Sequence, residues 1–199
     1  MNNDFVKKGY NKIAENYSAG RDTYKSDKYL EKLNSLLSPS STILDLGCGA
    51  GRPVDEFFVK HGHRIIGIDI SEKQIQLAKK NLPAGEFKVE DMSELKPHEY
   101  NVGAVVSFYA IFHIKRETHK DLFNKINSFL PVGGLILVSM GSNEWEGIEN
   151  DFHGAGMFWS HFDADKNREI IKNAGFEILF DQIDTTNNEK HLIIIAQKI

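Results

Sequence analysis

The sequence predicts a doubly wound α/β domain, with a mostly parallel sheet and helices on both of its faces. Three observations carry that expectation. From residue 42 onward, strand-like apolar runs alternate with amphipathic helical stretches. Several of the runs are nearly continuous Val, Ile and Leu, as in parallel strands buried on both faces. The chain closes on two strand-like runs joined by a short polar turn, DTTNNEK, which can only link antiparallel neighbours.

Taken in order, residues 3–37 read as two helices, with Tyr10, Ile13, Ala14 and Tyr17 along one face of the first. Strands are expected at 42–46, 64–69, 86–90, 102–107 and 135–140, then at 176–184 and 191–197. Between them, Ser71 and Gln74 form a capping-box pattern ahead of Ile75, Ala78 and Leu82. Leu122, Phe123, Ile126, Phe129 and Leu130 repeat at helical spacing until Pro131 and Gly133-Gly134 stop them. Asp163 is placed to cap a helix that Gly175 ends. One domain over 1–199 is expected: a helical cover over 1–40, a ligand-binding core over 42–140, an insert or lid over 141–163, and a closing helix and hairpin over 164–199.

Composition narrows the function classes. The 199 residues are 41% hydrophobic and 26% charged, ordinary for a soluble globular domain. A net charge of −4 and a pI near 6.1 argue against a nucleic-acid partner, and no apolar run is long enough for a membrane helix. The N-terminus lacks a signal-peptide pattern, and the single Cys48 suits a reducing compartment, so a cytoplasmic monomer or homodimer is expected.

The chemistry concentrates at strand ends. Gly47, Gly49 and Gly51 follow the first strand and open a helix, where a ligand can approach the backbone closely. Their G-x-G-x-G spacing, with Arg52 next, departs from the G-x-G-x-x-G of dinucleotide sites and disfavours a nicotinamide oxidoreductase. Asp45 beside the turn would repel a pyrophosphate but suits a cationic ligand. Asp69, about twenty residues on, is placed to accept both hydroxyls of a ribose. Asp91 can accept an adenine amine, with the Met92 N–H reading the ring.

Together ILDLGCGAGRP, GIDIS, EDM, SFYAIFHI, LPVGGLILVSM and the final pair GFEILFDQID and HLIIIAQK resemble the class I, Rossmann-like S-adenosylmethionine-dependent methyltransferases, in their small-molecule-type bacterial form. The resemblance covers nearly the whole chain, and YNKIAENYSAGRD is similar to the family's N-terminal cover. It implies a seven-stranded sheet in the order 3-2-1-4-5-7-6 with strand 7 antiparallel, and S-adenosyl-L-methionine as cofactor. On that resemblance, Gly47, Cys48 and Gly49 would hold the methionine portion with Asp45 nearby. Asp69 and Ile70 would take the ribose, Asp91 and Met92 the adenine, and Ser107 and Phe108 the amino-acid end, with Tyr17 and Arg21 closing over its carboxylate. Asn101 departs from the acid common at that position.

For the acceptor, SFYAIFHI replaces the (N/D)-PP-(Y/F) box of amide- and adenine-modifying members, which points to a small-molecule methyl acceptor. His113 is a candidate general base and equally a candidate helix cap. In the long 141–162 stretch, Trp145, Phe152, Met157, Phe158 and Trp159 can wall a pocket or pack on the sheet, Trp159 being the better core candidate; His153 or His161 would supply polar groups, His153 facing ligand. No metal is expected, because chain positions of the histidines show no ligand cluster. A cofactor-binding module without catalysis would carry the same motifs.

Overall fold

A computed structural model describes residues 3–21, 27–186 and 190–199, apart from the side chains of Ala19, Arg21 and Asp27. Seven strands form one sheet: β1 (Thr42–Leu46), β2 (Arg64–Asp69), β3 (Glu86–Val89), β4 (Ala104–Ser107), β5 (Leu135–Gly141), β8 (Phe176–Asp184) and β9 (His191–Lys198). Their order is β3-β2-β1-β4-β5-β9-β8, and β9 runs antiparallel to both neighbours while β1 to β5 are parallel. This is the expected topology.

The sheet is buried on both faces because successive strand residues point to opposite sides. Leu44, Val105 and Ile136 join one core with the helices α5 (His119–Phe129) and α6 (Ala164–Asn173). Their neighbours Ile43, Val106 and Leu137 join the other, with α2 (Asp27–Asn34), α3 (Val54–Lys60) and α4 (Glu72–Asn81). The caps follow the sequence: Ser71 Oγ accepts from Gln74 N at 3.1 Å and Asp163 Oδ1 from Lys166 N at 2.8 Å. The fourth strand starts at Ala104 rather than Val102, since the Val102 N–H turns away to the Phe129 carbonyl at the end of α5.

The stretch after β5 is a hairpin, β6 (Trp145–Phe152) and β7 (Ala155–His161), forming a separate two-stranded sheet. His153 and Gly154 turn it at φ 53° and 92°, the left-handed pair that suits the twist of a two-residue hairpin. The α1 helix (Asp4–Arg21) packs on it: Val6 and Ile13 meet Ala155, Met157 and Phe158 in a third apolar cluster. Met157 and Phe158 are therefore core, whereas Trp145 is exposed and Trp159 partly so.

Candidate cofactor and acceptor site

The carboxyl ends of β1, β2, β3 and β4 open onto one cavity, about 810 Å³ when the open solvent at its mouth is counted. At the end of β1 the chain turns through Gly47 and Gly49, both at positive φ, and the Gly47 and Cys48 N–H groups bond to the Ile68 carbonyl. Asp69 ties this loop to the next strand: its Oδ2 accepts from Gly49 N at 3.0 Å and its Oδ1 from Ser71 N at 2.8 Å. Each oxygen keeps a further lone pair, so two hydroxyl donors can still be received. Burial pushes the Asp69 pKa up to about 6, partly offset by those two N–H groups.

Asp91 caps the turn after β3, its Oδ1 accepting from Ser93 N and Ser93 Oγ. Its Oδ2 accepts from the Asn3 amide at 2.6 Å, so the start of α1 reaches across the cavity to the β3 end. Further along, Asn11 bonds to Ser71 and Glu72, and Lys7 pairs with Glu72. The helix thus roofs the strand ends.

Of the residues expected at the site, Tyr17, Gly47, Cys48, Gly49, Asp69, Ile70, Asp91, Met92, Phe108 and His113 all line this cavity. Asp45 and Ser107 stand behind it. Ser107 is buried with its Oγ donating to the Leu46 carbonyl at 2.7 Å. Asp45 is buried against Asp55 of α3; desolvation first, then the Asp45 charge, pushes the Asp55 pKa well above its ordinary value. The Cys48 thiol is likewise pushed well up by burial and by Asp55, Asp69 and Asp45, which keeps it unreactive. The Arg21 side chain lies outside the described residues.

His153 lies elsewhere, exposed on the rim of a more open groove formed with Phe112, Trp145, Phe152, Trp159, His161 and His191. His113 sits between the two spaces. Its Nδ1 is 2.8 Å from the Phe158 carbonyl and its Nε2 is 2.7 Å from the Tyr10 hydroxyl. Burial lowers its pKa to about 4, so it is neutral near pH 7.

Among the wall residues that sequence reasoning missed, three carry polar side chains of particular interest. Tyr10 reads as a core position of an amphipathic helix, and its pairing spans 103 residues. Arg52 follows the glycine loop, where its charge was a visible signal. Gln74 reads as half of a capping box, but Ser71 N is already taken by Asp69, and the Gln74 carboxamide is left 1% exposed with neither polar atom partnered among the described residues.

Residues 43–134 match a family model described as a methyltransferase domain, and the chain has the class I methyltransferase fold over that domain. The magnesium protoporphyrin IX methyltransferase of Synechocystis PCC 6803, solved with bound S-adenosylhomocysteine, superposes with a TM-score of 0.75 over all of both chains at 16% identity. Among curated relatives, the trans-aconitate 2-methyltransferase of Paracidovorax citrulli is 31% identical over 112 residues, 55% of this chain and 42% of that protein. An O-methyltransferase of Pyrenophora dematioidea is 27% identical over 186 residues, 88% of this chain and 69% of that one. The chain therefore spans less than half the length of the first of these relatives.

Proposed function

We propose that this chain is an S-adenosyl-L-methionine-dependent methyltransferase acting on a small-molecule acceptor. The observation that carries the reading is convergence: the Gly47–Gly49 loop, Asp69 and Asp91, from three successive strand ends, line one cavity. Gln74 supplies the test of fit. A buried carboxamide without partners costs about 1–3 kcal/mol, and a polar ligand group beside Gly49 would relieve it.

In this reading Asp69 receives the ribose hydroxyls, Asp91 and Met92 take the adenine, and the glycine loop with Gln74 and Arg52 holds the amino-acid end. The bound cofactor supplies an activated methyl group. Aligning acceptor and donor contributes on the order of 7–11 kcal/mol in favourable cases. The roof α1 and the β6–β7 hairpin are read as the cover and lid that exclude water. His113 is read as the catalytic group at the acceptor end; His153, on the outer groove, is assigned to the acceptor's approach.

The test is a thermal shift. A ligand at a hundredfold excess over its Kd stabilises a fold by about 2.7 kcal/mol, or about 5–11 °C for a chain of this size. S-adenosylhomocysteine should give that shift, NAD little, and Asp69→Ala should abolish it. A shift with NAD alone would reject the reading.

A further inference from the structure

The α1 helix bridges the cavity between two unlike seams, with Asn3, Val6, Tyr10, Tyr17 and Ser18 facing the space. On the hairpin side the seam is apolar: Val6 and Ile13 pack into Ala155, Met157 and Phe158, all buried. The backbones come so close there that a Cβ on Gly9 would stand 2.9 Å from the Gly156 carbonyl oxygen. On the side of β2 and β3 the seam is polar. Asn11 Oδ1 accepts from Ser71 Oγ at 2.7 Å and from Lys73 N at 3.2 Å, while its amide donates to Glu72 at 2.8 Å. Lys7 pairs with the same Glu72.

At the end of the polar seam Asn3 closes a ring with Asp91 and Ser93. Its Nδ2 donates to Asp91 Oδ2 at 2.6 Å and to Ser93 Oγ at 2.8 Å, and Ser93 Oγ donates to Asp91 Oδ1 at 2.8 Å. A carboxylate offers about four acceptor positions. Ser93 N takes the second position on Oδ1, which leaves room for one more donor on Oδ2, beside Asn3. Asp91 can thus receive an exocyclic amine while Asn3 stays in place, so an occupied cavity can still be roofed. The two seams differ in what their opening loses. Hydrogen bonds and a surface ion pair are replaced by bonds to water at small net cost. Apolar surface pulled off the hairpin has no such replacement. The roof therefore parts along the polar seam and stays seated on the hairpin.

We propose that Asn3 is the latch of this roof: its bond to Asp91 ties closure to the carboxylate that would read the adenine, and its release governs how fast the cofactor enters and leaves. The adenine role of Asp91 rests on the methyltransferase reading; the latch is a property of the ligand-free chain. Asn3 is a positioning residue, acting through Asp91 and Ser93.

The ligand-free test uses Cys48, the single cysteine of the chain, which is 7% exposed on the cavity wall. Its alkylation by iodoacetamide at alkaline pH times the opening of the roof. Asn3→Ala should speed that reaction about tenfold. Lys7→Met, farther along the same seam, should act in the same direction and stands in should the first variant fold poorly. Lys12→Ala removes a bond to the Gly154 carbonyl on the hairpin side and should leave the rate unchanged. No gain in the two seam variants, or an equal gain in Lys12→Ala, would overturn the proposal. With S-adenosylhomocysteine, surface plasmon resonance should show Asn3→Ala raising association and release together, with Kd moving far less than either rate. Faster release alone would make Asn3 an ordinary ligand contact and reject the latch. Failure of that ligand to bind the wild type sinks the methyltransferase reading, while Cys48 alkylation still judges the latch.

Discussion

Gly47 and Ala110 approach so closely that a Cβ on Gly47 would lie 2.3 Å from the Ala110 Cβ. The contact joins the loop after β1 to the segment after β4, two walls of the same cavity. Gly47 also holds φ 82°, a region that costs a side chain about 1–2 kcal/mol. Gly47→Ala should therefore lose about 2–4 kcal/mol in urea denaturation, strain and overpacking together. Gly49→Ala is the control: at φ 54°, its Cβ would meet only Gln74 Oε1 at 3.8 Å, and the loss should stay near 1 kcal/mol. Equal losses would show that the Ala110 contact is not what restricts the loop.

Asp69 gives the ligand-free protein a definite pH dependence. Its folded pKa is raised to about 6, against about 4 when unfolded. Between those values the folded chain holds a proton that the unfolded chain has released. Its contribution is thus fully present below about pH 4 and is lost as pH rises through about 6. Allowing for partial solvent access, the loss is roughly 1–2 kcal/mol. The difference in unfolding free energy between Asp69→Asn and wild type should shift by that amount in favour of the variant from pH 4 to pH 7. A difference that stays flat would place Asp69 at an ordinary carboxylate pKa.

The β6–β7 hairpin meets the main sheet at a contact that admits no side chain. A Cβ on Gly141, the last residue of β5, would lie 2.2 Å from His161 Nδ1 and 2.8 Å from His161 Cβ. That ring is itself fixed, since Nδ1 donates to the Asn143 carbonyl at 2.6 Å. Gly141→Ala should displace the hairpin and cost about 1–3 kcal/mol. The loop and carboxylates at the ends of β1, β2 and β3 remain as they were, so calorimetry should show S-adenosylhomocysteine binding retained. Loss of binding in this variant would mean that the hairpin supports the cofactor walls directly.

Much of this architecture was legible locally. Ser71 and Asp163 announce their helices because a cap is a contact over three residues, and buried parallel strands announce themselves by their aliphatic runs. The hairpin was not legible. β6 is exposed at most positions and shows no apolar alternation, because most of the packing against α1 falls on its partner β7, with Phe152 at the turn joining it. Asp69 and Asp91 could be placed at the cavity because the ends of parallel strands converge by topology. Asp45 was grouped with them although it lies inside β1, where alternation turns it to the face of Ile43 and toward Asp55 of the following helix. The Tyr10–His113 pair depends on how α1 crosses the sheet, which no local pattern records.

Gln74 separates stability from binding most sharply. Its carboxamide is buried against the glycine loop, 3.8 Å from where a Gly49 Cβ would stand, and neither its nitrogen nor its oxygen has a partner among the described residues. Gln74→Met keeps the length of the side chain and the helical spacing of α4 while removing both polar atoms. Relief of the desolvation penalty should stabilise the ligand-free protein by about 1–2 kcal/mol in urea denaturation. In the proposed reading the same change deletes a hydrogen-bonding group facing the cofactor's amino-acid end, so the affinity for S-adenosylhomocysteine should fall about tenfold. The two effects have opposite signs, and packing alone cannot produce both. A variant that gains stability and binds as tightly as wild type would show that the carboxamide takes no part in holding the ligand.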